Sequence, residues 1–205
     1  MRFKTLFIVI VAGLLAIAGD SLSQTSKQIS PTHFLNGQLL IADDGMADPR
    51  FAKTVILMID HNKQGAMGVV INKGVGSGPL AKLMEGFGMN PDGVKGAINL
   101  HYGGPVDSGV GFLVHGPDYH GPGTRIINNV ASVTTNQKVF RDIADGKGPK
   151  QKIFVLGYAG WGPGQLEHEL ARDDWVVTPA KPSFIFGKDV EKIWDRARGK
   201  AGLPL

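Results

Sequence analysis

The chain has 205 residues, enough to bury one sizeable core. Its apolar content of 42% and charged content of 20% are those of an ordinary globular protein. A net charge of +4, with no lysine–arginine run beyond a thin cluster at Lys147, Lys150 and Lys152, gives little grip on nucleic acid. The lack of cysteine excludes disulfides, thiolate nucleophiles, cysteine zinc sites and lipid acylation at cysteine.

The N-terminus has three parts. Arg2 and Lys4 supply positive charge, residues 6–18 form an uncharged apolar run of 13, and small residues follow. This is the pattern of a secretory signal, with cleavage expected after Ala18 or Ser23. The run is short of the roughly 20 residues of a membrane span, so no stable span is expected after cleavage. Residues 1–23 therefore read as a signal peptide, 24–33 as a flexible polar lead-in and 34–205 as the folded domain. The pattern predicts export to the periplasm or envelope. An uncleaved anchor or a buried N-terminal helix are the other readings. Removing residues 1–23 takes away Arg2, Lys4 and Asp20 and leaves a charge of +3.

The domain reads as short strands with fewer helices, and the 29 glycines are scattered, as tight turns require. Residues 37–42 and 53–60 are strands. Residues 65–73 pair back on the second through the loop HNKQG, which makes a β-hairpin with His61-Asn62 in its loop. Ser77 is expected to cap a helix that buries Leu80, Leu83, Met84 and Phe87. AINLHYGG and GVGFLVHG are two further strands, and TRII and VASVTT a short pair. Asn136 caps a second helix with Val139, Phe140, Ile143 and Ala144 on its apolar stripe, ended by Gly146. QKIFVLGYAGW is the most apolar strand and belongs in the sheet centre. It turns through GWGPG into a third helix, with Pro163 in the first turn. DWVVTPA and SFIFG read as late strands. A last helix buries Val190, Ile193, Trp194 and Ala197, with Gly199 and Gly202 closing it. The whole is a single mixed α/β domain of about 170 residues.

In the third helix Leu166, Leu170 and Ala171 can face the sheet. Gln165, His168, Glu169 and Arg172 share another face, and Glu167 points elsewhere. A crevice above the end of the preceding strand would see Glu169 and His168. Charged surface residues and a core tryptophan at Trp161 account for the same letters without function.

Familiar chemistries fail in turn. HELAR puts Arg172 where a metalloprotease needs a second histidine, and GVGSG lacks the lysine and spacing of a phosphate loop. No serine sits in a nucleophile elbow, and Ser108 lies in a turn-like VDSG. Spacing gives no sign that His101, His115 and His120 converge on a metal. Glu167 and Glu169 diverge, which is poor geometry for paired-carboxylate catalysis. No metal and no cofactor are expected.

At this point the motifs themselves carry a resemblance. GQLLIA, DPRFAKTVILMIDHNKQGAMGVVINK, GGPV, GFLVHG and GYAGWGPGQLEHEL followed by DW resemble, in order, the YqgE/AlgH family over about residues 34–202. The resemblance implies a compact α/β domain with a bent, barrel-like mixed sheet flanked by three or four helices. It implies no established activity or cofactor, and one branch of the family is named for regulation of alginate production. The positions that match the motifs are Asp48, Pro49, Phe51, His61, Gly65, Gly68, Asn72, Gly103, Gly104, Pro105, His115, Gly157, Gly160, Trp161, Gln165, Leu166, Glu167 and Trp175. The polar ones, with Trp161, are expected to line one cleft. Asp43-Asp44-Gly45 and Asn72-Lys73-Gly74 depart from the family by replacing a rigid proline with flexible residues. The family is usually taken as cytoplasmic, which the signal-like N-terminus here does not match.

Three functions follow as expectations. The first is a non-catalytic binding or regulatory module for an unknown small ligand or protein partner. Its candidate ligand-binding residues are His61, Asn62, Gly65, Gly103, Gly104, His115, Gly160, Trp161, Gln165 and Glu169. The second is a small hydrolase using His61, His115 and Glu169, which needs those side chains within about 3 Å or one water of each other. The third is a nucleic-acid-linked transcriptional regulator, suggested by the family name and a pI near 9.3, and excluded by export.

Overall fold

In a computed structural model of the chain, residues 34–200 are described. The expected signal peptide and lead-in, and Gly202, lie outside the described residues. Ten strands form one curled sheet. They are β1 (Gln38–Ala42), β2 (Val55–Asn62), β3 (Gly65–Val70), β4 (Gly74–Pro79), β5 (Ala97–Tyr102), β6 (Val106–His115), β7 (Thr124–Ile126), β8 (Ser132–Thr134), β9 (Lys152–Trp161) and β10 (Trp175–Pro179). The main path runs β10-β1-β2-β3-β9-β6-β8-β7, with β4 and β5 attached beside β9. Every pairing is antiparallel except β5 with β9. The helices are α1 (Leu80–Gly86), α2 (Lys138–Ala144), α3 (Gln165–Ala171), α4 (Pro182–Ile185) and α5 (Ile193–Lys200), the last entered through a 3-10 turn at Val190–Lys192.

Alternation along the strands feeds two faces. Leu39 and Ile41 of β1 join Val55, Leu57 and Ile59 of β2 in the cluster under α4 and α5, while Leu40, Ala42, Ile56 and Met58 face α3 with Trp161, Leu166 and Trp175. Both faces are buried, which is why these strands read as continuous apolar runs. A third cluster holds α1 and α2 against β5, β6 and β9 around Leu80, Met84, Phe140 and Phe154.

Strand β9 is central, as its composition predicts. It pairs with β3 and β5 along one edge and with β6 along the other. Strands β5 and β6 thus lie on opposite edges of β9, joined only by Gly103-Gly104-Pro105. That connection crosses the β9 backbone where Gly157 (φ +75) bends it. A Cβ on Gly103 would sit 2.2 Å from the Gly157 carbonyl oxygen, and one on Gly104 (φ +152) 2.1 Å from the Tyr158 carbonyl carbon. Only glycine permits this approach.

Several local expectations change. Ser77 does not cap a helix. It lies in β4, an edge strand of glycine and small residues, and its hydroxyl bonds the Ile98 carbonyl at 3.3 Å. SFIFG is not a strand. Pro182 opens α4, and Phe184 and Ile185 are buried in the core beneath it. The hairpin loop is only Lys63-Gln64, so His61 and Asn62 are the last residues of β2. Asn136 stands one residue before the Gln137 cap position, yet its carboxamide oxygen still accepts the Lys138 N–H at 3.0 Å. Gly146 (φ +73) follows the end of α2 as expected. Ala171 is exposed and does not reach the sheet. Gly199 lies within α5 instead of ending it.

Candidate functional site

The turn from β9 into α3 builds one wall of a cleft of about 280 Å³. Gly164 (φ +74) lets the chain reverse, and the Gly162 N–H bonds the Gln165 side-chain oxygen at 3.1 Å. One turn on, Glu169 comes to lie between two indoles. Its Oε2 accepts the Trp161 Nε1–H and the Trp175 Nε1–H, both at 2.8 Å, and its Oε1 accepts from Gln165 Nε2 at 2.9 Å. The two rings meet edge to face at 6.1 Å, and Phe51 adds a third ring at 5.7 Å from Trp175.

Two ion pairs rim the cleft. Arg50 Nη2 meets Asp48 Oδ2 at 2.6 Å, and Arg172 Nη2 meets Asp174 Oδ2 at 2.6 Å. The Arg50 guanidinium holds the Asp48 carboxyl below the usual carboxylate range. Both arginine side chains are about three-fifths exposed, so these pairs contribute little to stability and can exchange partners. Lys73 braces the loop beneath, its ammonium donating to the Arg50 carbonyl at 2.7 Å, and burial pulls its pKa down.

His61 is buried behind the cleft. Its Nδ1 accepts the Leu35 N–H at 3.1 Å, so the ring carries its proton on Nε2, which lies 2.9 Å from Glu167 Oε1. Glu167 indeed diverges from Glu169, but it turns into the protein, where it is 8% exposed. Asn36 clamps the His61 backbone by accepting its N–H at 2.8 Å and donating to its carbonyl at 3.0 Å.

The candidate residues divide among several places. Gly160, Trp161, Gln165 and Glu169 line the main cleft. Asn62 and Gly65 line a shallower depression with Asp60 and Met67, and Trp161 borders both. Gly103 and Gly104 are buried at the β9 crossing and line neither. His115 is fully buried near the β6–β8 pairing. Its Nδ1 meets the Gly116 carbonyl at 2.7 Å and its Nε2 the Thr134 hydroxyl at 2.9 Å, and burial lowers its pKa. His61, His115 and Glu169 therefore each bind a different set of partners and do not form a catalytic set. His168 is exposed and bonds the Gly164 carbonyl at 2.7 Å. The described residues contain no group of three or more metal-ligating side chains, so His101, His115 and His120 are not gathered. Among the described residues no helix is long and apolar enough to cross a membrane.

Sequence reading missed Arg50 and Asp174 as rim residues. Each stands beside a flagged position, Arg50 in DPRF and Asp174 in DDW, but only the fold brings the two loops together. It also missed the His61–Glu167 pair, whose members are 106 residues apart.

The AlgH-like family model matches residues 39–205. A UPF0301 protein of Methylococcus capsulatus is 45% identical over 170 residues, covering 83% of this chain and 93% of its own length. A UPF0301 protein of Jannaschia is 43% identical over 84% of this chain and 91% of its own. Among solved structures, the solution structure of the AlgH protein from Pseudomonas aeruginosa is similar, with a TM-score of 0.70, 39% identity, and 87% and 94% of the two chains covered. A Corynebacterium diphtheriae crystal structure shares the fold, with a TM-score of 0.63 at 24% identity over 83% and 90% of the chains.

Proposed function

The chain belongs to the AlgH-like family, and from that premise we propose that it is a non-catalytic binding module whose ligand or partner group occupies the Phe51–Trp161–Trp175 cleft. One observation carries this reading. The Glu169 carboxylate is held by three donors at the cleft wall, two of them indoles. A carboxylate so occupied is a poor proton-transfer group, and it fixes two large rings rigidly beside a cavity. His61 and His115, with both ring nitrogens engaged, support the same reading. Arg50 and Arg172, with their exchangeable partners, supply orienting polar contacts beside the aromatic wall of Phe51, Trp161 and Trp175.

The test is a thermal-shift and native mass-spectrometry screen of the purified protein against amino acids, nucleotides and sugars. Any hit is repeated on Arg50→Ala/Arg172→Ala. Both side chains are exposed, so the unliganded melting temperature should hold, while affinity should fall about tenfold or more on losing two charged contacts. A hit with unchanged affinity in the double variant rejects the cleft as its site.

We also propose that the protein acts in the cell envelope, on the strength of the charged, apolar and small-residue pattern in residues 1–23. Intact mass of protein recovered from the periplasm should show loss of the first 18 or 23 residues. A full-length cytoplasmic product rejects it.

A further inference from the structure

We propose a second binding site, for a small uncharged ring compound, in the pocket between Phe87 at the end of α1, the start of α2 and the middle of β6. The pocket holds about 220 Å³ and shares no lining residue with the main cleft. Its floor is aromatic. Phe87 stacks on Phe140 with centroids 5.5 Å apart, and both meet Phe154 edge to face at 6.0 and 5.3 Å. Phe87 is only half-buried, so a ring entering the pocket extends an existing aromatic stack.

Two features of β6 keep the pocket open. Strand β8 pairs with β6 only from Leu113 to His115, so no described strand covers β6 earlier on that edge. At Gly111 the missing side chain leaves space for the Phe154 ring, since a Cβ there would sit 2.2 Å from Phe154 Cζ.

The chemistry of the lining selects the ligand. No charged residue lines the pocket, in contrast to the main cleft with its three carboxylates and two guanidiniums. The rim is three consecutive exposed side chains, Thr135, Asn136 and Gln137. The Asn136 oxygen is used by the Lys138 N–H, but its amide nitrogen and the whole Gln137 carboxamide make no hydrogen bond among the described residues. A charged ligand would lose hydration with no opposite charge to offset it, whereas a neutral ring with an amide or hydroxyl edge meets phenyl groups below and carboxamides above. An apolar cavity of about 150 Å³ holds benzene, so this volume suits one ring with a few further atoms.

Benzamide is the probe, with benzoate as its charged isostere. Binding is followed by the ring resonances of carbon-13-labelled phenylalanine and by intermolecular nuclear Overhauser effects. Benzamide should bind at about millimolar levels, with contacts to Phe87 and Phe154, and benzoate at least about tenfold more weakly. Gly111→Ala should displace Phe154 and weaken binding. Because that variant strains the core, Thr135→Arg, at an exposed rim position, is the second test and should weaken binding about tenfold by covering the mouth and adding charge. Absence of contacts to these rings, equal binding of benzoate, or unchanged affinity in Thr135→Arg overturns the proposal.

Discussion

Replacing Glu169 by alanine tests the structural account of the cleft most directly. The substitution strands two indole N–H groups on side chains of residues that are only 7% and 4% exposed. A buried donor left unmet costs about 1–3 kcal/mol. Water in the adjoining cleft can reach part of the way to both donors, which puts the total at about 2–4 kcal/mol. Glutamine at the same place keeps one carbonyl oxygen for the indoles and loses charge assistance and the exposed bond from Gln165, so it should cost about 1 kcal/mol. Urea unfolding of wild type, Glu169→Ala and Glu169→Gln, followed by far-ultraviolet circular dichroism, measures the difference without relying on the perturbed tryptophans. For a domain of this size each kcal/mol moves the melting temperature by about 2–4 °C, so alanine should lower it by roughly 4–16 °C. An alanine variant within about 0.5 kcal/mol of wild type, or a glutamine variant as unstable as alanine, refutes the view that the carboxylate holds the two rings.

Other outcomes follow from the same physics. His61→Leu leaves the Glu167 carboxylate buried without its partner and should cost about 3–5 kcal/mol, whereas adding Glu167→Leu should recover much of that, as a double-mutant cycle by urea unfolding will read. Gly104→Ala, which drives a Cβ into the Tyr158 backbone, should abolish soluble expression. Gly88→Ala, with φ +69 but open space around it, should cost only about 1 kcal/mol of strain in the same expression and melting assays. Burial lowers the pKa of His101 and His115 from 6.5. Below that value the unfolded chain takes up protons that the folded protein refuses, so stability is full above pH about 6.5 and falls as pH drops from there until the folded values are passed. His115→Asn should flatten this part of the stability–pH curve, and a slope identical to wild type would remove His115 as its source.

Much of the fold was legible because apolar runs and glycine breaks carry it. The ten residues of β9 read as a central strand from composition alone, and the last helix from Ile193, Trp194 and Ala197. What failed shares one cause, namely that the deciding contacts are distant. In β4, four of six residues are glycine or proline, so nothing in its side chains announces a strand, and it exists through its pairing with β5. Phe184 and Ile185 have strand-like composition, but Pro182 and the core beneath them impose a helical turn. Helical spacing correctly separates Glu167 from Glu169. It cannot reveal which of the two faces a buried histidine, because that histidine comes from β2. Gly103 and Gly104 stood out in the sequence through their motif, and their physical role is the close passage of one chain segment over another.

That passage has a kinetic consequence. Strands β5 and β6 are adjacent in sequence yet separated by β9, which is made about fifty residues after β5 ends. Until β9 arrives, β3, β5 and β6 each lack the neighbour that satisfies their backbone groups, and closing so long a loop is slow compared with forming a local hairpin. Nascent chains that stop short of residue 152 should therefore remain protease-sensitive, their unpaired edges open to chaperones, and protection should appear over a narrow window of length as residues 152–161 become available. The moment of folding is thus set by a strand from the last third of the polypeptide, and the N-terminal two-thirds are translated before their sheet can exist.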